Sequence, residues 1–119
     1  MAAQEACLGL QVYVEAPDLA AGLDAARALA RRLEPVARVL SCEVSPYWKI
    51  PAYQGVWMRI AAPDLINTFD AVSAALAADW DLHCEGEERW AVWNHDRNGP
   101  GALPALRWMN LEPLPAPEP

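Results

Sequence analysis

The sequence predicts one α+β domain whose elements follow the order βαββαβ, and three observations predict it. The chain has 119 residues, a length that forms a single hydrophobic core. Hydrophobic residues make up 54% of it, too large a share for a disordered chain. Two segments related by a shift of 46 positions have similar sequences, each a strand pattern followed by a helix pattern.

The repeat rests on identical residues at matching positions. Gly9 aligns with Gly55, and residues 16–19 (Ala-Pro-Asp-Leu) align with residues 62–65, which are the same four residues. An alternative is that two alanine-rich amphipathic helices resemble each other by coincidence. The matching glycine and the matching strand phase favour a repeated βα unit.

In the first unit, Leu10, Val12 and Val14 alternate with polar residues, as in a half-buried strand. Pro17 cannot continue a strand ladder because it lacks an N–H group. Asp18 is a good helix N-cap. The apolar stripe predicted for the helix that follows contains Leu19, Leu23, Ala26, Leu29, Ala30 and Leu33.

Pro35 ends the first predicted helix, and residues 36–44 form the next strand candidate. The second unit repeats the scheme with a strand at Val56, Met58 and Ile60, and with Asp64 as the N-cap. Its helix stripe contains Leu65, Phe69, Val72, Leu76 and Trp80.

In the last third of the chain, strands are predicted at residues 82–84 and 88–93. These residues form either one bulged strand or two short strands. A fifth strand at residues 106–111 follows and is expected to pair with the strand that ends at Trp93. Residues 1–111 therefore form the predicted domain. Residues 112–119 contain four prolines and predict a disordered tail.

Two similar βαβ halves joined by a hairpin make a ferredoxin-like two-layer sandwich, here with an internal pseudo-repeat and an extra C-terminal strand. Right-handed crossovers place both helices on one face of the sheet. The sequence therefore predicts an antiparallel sheet whose other face is open.

The chain is acidic, with 16 Asp and Glu against 9 Lys and Arg and a formal charge of −7. Such a surface repels nucleic-acid phosphates and anionic membranes, so neither is an expected partner. Long-range attraction favours a basic protein partner instead. The alternative is that the charge serves solubility alone.

Three cysteines, Cys7, Cys42 and Cys84, are an odd number at long spacings, which argues against a disulfide framework and for a reducing compartment. No signal peptide and no apolar run of membrane-spanning length is recognisable, so a cytoplasmic location is expected. Cys42 and Cys84 are predicted to lie in or near the core as small hydrophobic residues.

Motifs for catalysis or metal binding are missing from the sequence. His83-Cys84 and His95-Asp96 are adjacent pairs, which on a strand point to opposite faces and cannot easily share an ion. No metal, no cofactor and no catalytic residue is predicted, and the chain is not expected to be an enzyme. A dimeric ferredoxin-like enzyme with His83 in a pocket is kept as an alternative.

Six tryptophans are many for this length. Trp80 and Trp90 are predicted to lie in the core. The strand phase places Tyr13 and Trp57 on the open sheet face, and Trp93 is expected beside them.

A second aromatic group, Tyr47, Trp48 and Tyr53 with Lys49, lies in the loop that joins the two halves. Aromatic rings on an accessible loop are typical of interface hot spots. The alternative is that these rings cover the sheet within the monomer.

Acidic residues cluster where the second helix ends, at Asp79, Asp81, Glu85, Glu87 and Glu88. Carboxylates near a helix C-terminus do not stabilise it, so recognition of a basic surface is one explanation and a solvated turn is the other.

Residues 47–49 (Tyr-Trp-Lys), 88–94 (Glu-Arg-Trp-Ala-Val-Trp-Asn) and 107–112 (Arg-Trp-Met-Asn-Leu-Glu) give the chain a resemblance in type to the small acidic immunity proteins of bacterial toxin systems. The resemblance implies a domain without catalytic residues that neutralises a toxin through acidic and aromatic contacts. A ferredoxin-like dimeric domain that binds a small molecule or regulates is the alternative. The predicted partner-binding residues are Tyr47, Trp48, Lys49, Tyr53, Trp57, Asp81, Glu85, Glu87, Glu88 and Trp93.

Overall fold

The computed structural model describes residues 6–85 and 88–114. Six strands and three helices follow one another in these ranges. They are β1 (Cys7–Glu15), α1 (Leu19–Leu33), β2 (Arg38–Pro46), β3 (Tyr53–Ala61), α2 (Leu65–Leu76), β4 (Asp81–Glu85), β5 (Glu88–Asn94), α3 (His95–Asn98) and β6 (Leu106–Leu114).

The repeated βα unit appears in the element bounds. Strand β3 begins and ends 46 positions after β1, and α2 begins 46 positions after α1. The two strands are antiparallel neighbours, and Gln11 lies opposite Trp57, its own counterpart in the repeat. A local twofold axis between these two residues therefore relates the units and puts both helices on one side of the sheet.

The α+β class is confirmed. The ferredoxin-like arrangement with an extra C-terminal strand is not supported, because one antiparallel sheet holds six strands in the order β2-β3-β1-β6-β5-β4. The C-terminal strand β6 pairs with β1 as well as with β5, so it lies in the middle of the sheet. Residues 82–84 and 88–93, predicted as one bulged strand or two short ones, lie in two short strands, β4 and β5, which pair as a hairpin.

Strand β6 extends to Leu114, three residues past the predicted strand and into the segment predicted as a disordered tail. Pro113 is tolerated there, although proline lacks a ladder donor. Residues 115–119 of that predicted tail lie outside the described part of the chain.

Both long helices begin as the sequence predicts. The Asp18 side chain accepts a hydrogen bond from the Ala21 N–H at 2.9 Å, and Asp64 accepts one from the Asn67 N–H at 3.2 Å. These carboxylates satisfy amides that have no partner within the first helical turn. Helix α1 ends before Pro35, which cannot continue the helical hydrogen bonds.

The core lies between the helices and one face of the sheet. Helix α1 buries Gly22, Ala26, Leu29 and Leu33. Leu19 and Leu23, both predicted for its apolar stripe, are instead 46% and 39% exposed. The strand residues on this face and the buried residues of α2 complete the core. They include Leu8, Leu10, Val12, Val14, Val56, Met58, Ile60, Phe69, Val72, Leu76, Trp93, Leu106, Met109 and Leu111.

Trp80 packs against the core, as predicted, and is half-buried. It lies beyond α2, which ends at Leu76, so its predicted place in the stripe of that helix is wrong. Its indole N–H donates to the backbone oxygens of Ser73 at 2.8 Å and Ala77 at 3.2 Å. The Ser73 oxygen also accepts the Ala77 N–H at 3.1 Å, so the indole adds a second hydrogen bond to the C-terminal end of α2.

Candidate functional site

The face of the sheet opposite the helices is open and carries aromatic rings. Successive strand residues point to opposite faces, and the buried residues of β1, Leu8 to Val14, take the helix side. Their neighbours therefore project from the open face. The half-buried aromatic residues placed there by strand phase and register are Tyr13, Trp57, Trp90 and Trp108.

Three of the rings on this face form a stack. Tyr13 packs against Tyr47 with ring centroids 4.2 Å apart and against Trp108 with centroids 5.3 Å apart. The register places Tyr13 opposite Gly55 on one side and Trp108 on the other. A Cβ atom at position 55 would lie 3.5 Å from the Tyr13 ring, so the ring lies over the glycine.

Trp57 lies across β1 because Gly9 has no side chain. A Cβ atom at position 9 would stand 3.2 Å from the Trp57 ring and 2.8 Å from the Leu114 side chain. The aligned glycines of the repeat, Gly9 and Gly55, thus share one role. Each one leaves room for an aromatic ring of the neighbouring strand on the open face.

A separate pair of rings stands near the far edge of the same face. His83 of β4 and Trp90 of β5 are opposite each other, and their rings stack at 5.3 Å with an interplanar angle of 12°. His83 therefore packs on the sheet surface, and its ring does not line a pocket between sheet and helices as the enzyme alternative required.

A cleft of about 240 Å³ opens beside the Tyr13–Tyr47 stack. Gly55 forms part of its lining between Tyr13 and Ser45, the residues that flank it on the neighbouring strands. The lining also includes Trp57, Gln11 and Glu43, with Tyr47 and Trp48 from the loop. The cleft is therefore aromatic, with a single carboxylate among its lining side chains.

The polar groups of the cleft are arranged around Tyr13. The Gln11 side-chain amide donates to the Tyr13 hydroxyl at 2.9 Å. Burial and the neighbouring Tyr47 raise the pKa of Tyr13 above its ordinary value, so its hydroxyl stays protonated at neutral pH. The hydroxyl is thus an uncharged hydrogen-bonding group.

The aromatic residues predicted for the loop between β2 and β3 take both of the roles considered for them, because some cover the sheet and one is exposed. Tyr47 covers the sheet by stacking on Tyr13, and Tyr53 is half-buried at the start of β3. Trp48 is 81% exposed, with the Lys49 ammonium 5.2 Å from its ring centroid. Trp48 is therefore the accessible ring at the rim of the cleft.

The predicted acidic cluster lies around the β4–β5 edge of the sheet. Asp81 forms an ion pair with Arg97 at 3.1 Å, and Asp79 accepts a bond from Asn98 at 3.3 Å. Glu85 and Glu88 face each other across the hairpin and are exposed. Glu87 lies outside the described residues.

Two tryptophan placements were predicted the wrong way round. Trp93, predicted beside Tyr13 on the open face, is fully buried in the core, whereas Trp90, predicted for the core, lies half-exposed on the open face. The two residues are three apart, so they must face opposite sides of a strand. Pairing with β6 puts Trp93 opposite Met109, on the helix side.

Cys42 and Cys84 are also exposed, contrary to the prediction of core positions. Each lies on an outer strand of the sheet, β2 or β4, where helix cover is incomplete. Although Cys42 is exposed, the partial loss of hydration beside its neighbours, and to a lesser extent the Glu43 charge, raises the pKa of its thiol. A raised pKa keeps it protonated and weakly nucleophilic.

Three residues of the open face were missed by the sequence analysis. Trp108 was placed on a strand but not on this face, because the position of β6 beside β1 has no local signal. Gln11 and Glu43 both pair with Trp57, from opposite sides. Strand alternation assigns both residues to the same face as Trp57. This alternation is the signal that could have identified them as residues of the open face.

A larger groove lies on the helix side, between the start of α2 and the β4–β5 hairpin, with a volume of about 750 Å³. Its lining includes Ile66, Phe69, Cys84 and Arg89. Arg89 is already engaged, since it donates to Asp70 at 3.2 Å and lies 5.6 Å from the Phe69 ring centroid. Ile66, at 57% exposure, is a suitable control position on this side.

Neither a metal-binding cluster nor a transmembrane helix is found in the described part of the chain. Residues 6–85 and 88–114 contain no group of three or more His, Cys, Asp or Glu able to hold a metal ion. None of the helices in these ranges has the length and apolar content needed to cross a bilayer.

No family model matches the chain, and no curated protein or solved structure matches it either.

Proposed function

We propose that this chain is a cytoplasmic protein-binding domain that neutralises a cognate basic protein, in the manner of the immunity proteins of bacterial toxin systems. The observation that carries the proposal is the open sheet face with its half-buried rings. These are Tyr13, Tyr47, Trp57, Trp90 and Trp108.

An aromatic surface of this kind suits a protein partner. The rings are held by strands and by mutual stacking, so they lose little conformational freedom when a partner covers them. Aromatic residues also supply much of the binding energy at protein interfaces. The half-exposed rings thus offer a preformed set of anchors, with Trp48 projecting at the rim.

Charge favours a basic partner. The net charge of −7 attracts a cationic protein at long range. On the open face, Glu15 is paired with Arg107 at 2.7 Å. The strand phase adds Glu43, Glu88 and Glu112 to this face, and within the described residues none of the three has an ion-pair partner within 4.0 Å.

A second copy of the chain is the competing occupant of this face, as in a dimeric regulatory or small-molecule-binding domain. The uncovered rings favour that alternative, but the like charge of two copies opposes it. We therefore expect sedimentation to give a monomer. A stable dimer that Trp57→Glu dissociates would favour the regulatory domain.

The proposal is tested by growth of a bacterial host. An immunity protein is expected to be encoded beside its toxin, so the neighbouring gene is expressed alone and together with this chain. We expect growth arrest in the first case and rescue in the second. The double variant Trp48→Ala with Trp57→Ala should lose the rescue, whereas the helix-side control Ile66→Ala should keep it.

Two results would contradict the proposal. One is a neighbouring gene product that leaves growth unaffected. The other is equal rescue by the double variant, provided that circular dichroism shows the variant to be folded like the wild type.

A further inference from the structure

We propose that the cleft beside Tyr13 binds the guanidinium group of an arginine side chain on the protein partner. This inference rests on the proposed function, because it names the group that the open face receives. It is carried by the joint presence of aromatic rings, one carboxylate and a glycine in a cleft of about 240 Å³.

The size of the cleft suits a side chain. Pockets for drug-sized molecules have volumes of about 300–1,000 Å³, and this one is smaller. Gly55 lines it with backbone alone, and a Cβ atom there would already be in contact with the Tyr13 ring at 3.5 Å. A narrow, flat group therefore fits over Gly55 better than a bulky one.

The aromatic lining favours a cation. Tyr13, Trp57 and Trp48 are among the residues that line the cleft, and a cation over an aromatic face is stabilised by the ring quadrupole. The loop already holds one cation in this way, with the Lys49 ammonium 5.2 Å from the Trp48 ring centroid. The cleft offers further rings to a cation from outside.

Glu43 supplies the matching negative charge. It lies directly opposite Trp57, and directly opposed residues on neighbouring strands have Cβ atoms about 4.5–5.5 Å apart. Among residues 6–85 and 88–114, the Glu43 carboxylate has no hydrogen-bond donor within 3.5 Å. It also has no cationic partner within 4.0 Å in these ranges. The carboxylate is therefore available to a cation from a partner.

Arginine fits this lining better than lysine does. A guanidinium is planar, more weakly hydrated than an ammonium, and able to stack on a ring while it donates two parallel hydrogen bonds to a carboxylate. Glu43 on β2 and Trp57 on β3 lie directly opposite each other. The cleft therefore offers a ring for stacking and a carboxylate for hydrogen bonds side by side.

The test is a titration of the nitrogen-15-labelled full chain with N-acetyl-arginine-methylamide, followed through the tryptophan indole signals in NMR. We expect the Trp48 and Trp57 signals to shift and the buried Trp93 signal to stay in place. The citrulline analogue, which has the same shape without the charge, should bind about fivefold more weakly or worse.

Variants locate the binding site. Glu43→Gln should weaken binding of the arginine probe about fivefold, and it should fold normally because position 43 is exposed. Glu112→Gln is the matched control, since it removes a carboxylate from the same face outside the cleft and should leave binding unchanged.

The inference is overturned if the indole signals do not respond, if citrulline binds as well as arginine, or if Glu43→Gln binds as the wild type does. Tighter binding of tetramethylammonium than of the arginine probe would also overturn it, because that result assigns the cleft to a small quaternary amine. The titration needs no protein partner, so its failure is distinguishable from failure of the growth assay.

Discussion

Gly22 shows how a single residue sets the distance between a helix and the sheet. It lies on the buried face of α1, where an added Cβ atom would come within 2.8 Å of Gln54 Cγ and 2.9 Å of Gln54 Cβ. These atoms belong to the buried base of the Gln54 side chain and cannot move aside easily. Helix α1 can therefore approach β3 only with glycine at this position.

We expect Gly22→Ala to destabilise the protein by about 1–3 kcal/mol, as overpacking of a core does. The usual effect in a helix interior is the opposite, because alanine is favoured over glycine by about 1 kcal/mol. Denaturant unfolding measures the difference. Ala20→Gly, at an exposed position of the same helix, is the control and should lose about 1 kcal/mol. A more stable Gly22→Ala variant would show that the contact is not tight.

The two tryptophans Trp93 and Trp48 should differ sharply in their contribution to stability. Trp93 is fully buried and Trp48 is 81% exposed. We expect Trp93→Ala to lower the free energy of unfolding by about 3–5 kcal/mol, and Trp48→Ala to change it by less than about 0.5 kcal/mol. Thermal unfolding of both variants measures this. Similar losses would mean that Trp48 packs against the domain.

At the scale of elements, the βα units could be predicted because their signals are local. Alternation over a few residues defines β1 and β3, and the Asp that follows each Pro starts α1 and α2 at the predicted residues. The position of β6 could not be predicted, because its pairing with β1 joins residues about a hundred positions apart. The inverted placement of Trp90 and Trp93 follows from the same missing information.

In the candidate site, too, local sequence signals predict some positions, whereas others depend on pairing between distant strands. Trp57 and Tyr13 were placed on the open face correctly, since their phase follows from the strands on which they lie. The stack with Trp108 required knowledge of the strand order. The bulge in β2 between Val39 and Ser41 brings Val39 into phase with Cys42 and Val44, a shift that simple alternation does not reveal.

The helix caps should contribute equally to the two units. Asp18 and Asp64 occupy the same position in the repeat and each accepts a backbone N–H three residues later. We expect Asp18→Ala and Asp64→Ala to cost about 1 kcal/mol each in unfolding free energy. Asp24→Ala removes only an exposed pair with Arg27 and should cost less than about 0.5 kcal/mol. Losses of the same size in all three variants would contradict the capping role.

For the whole molecule, charge is distributed unevenly between the two edges of the sheet. Strands β2 and β4 are the outer strands. Arg27, Arg31, Arg32 and Arg38 lie on α1 and β2, whereas Asp79, Asp81, Glu85 and Glu88 lie at or beside the β4–β5 hairpin. A basic partner that places one arginine in the cleft beside β2 should therefore direct the rest of its positive surface across the open face toward the hairpin.

We expect Glu85→Lys combined with Glu88→Lys to slow association with the basic partner about tenfold at low salt, because steering acts mainly on the association rate. Stopped-flow fluorescence at several salt concentrations measures the rate. Asp24→Lys combined with Glu34→Lys, the same change in net charge made at exposed positions of α1 and its C-terminal end, is the control and should have a smaller effect. Equal slowing by both would indicate that only net charge matters.

The surface through which the partner binds is tested most directly by isothermal titration calorimetry with the neighbouring gene product. We predict that Trp57→Ala raises the dissociation constant about tenfold or more, because an interface anchor is lost. Ile66→Ala should change it less than about twofold. The reverse pattern, with Ile66→Ala weakening binding and Trp57→Ala binding as the wild type does, would place the partner in the helix-side groove and contradict the open-face site.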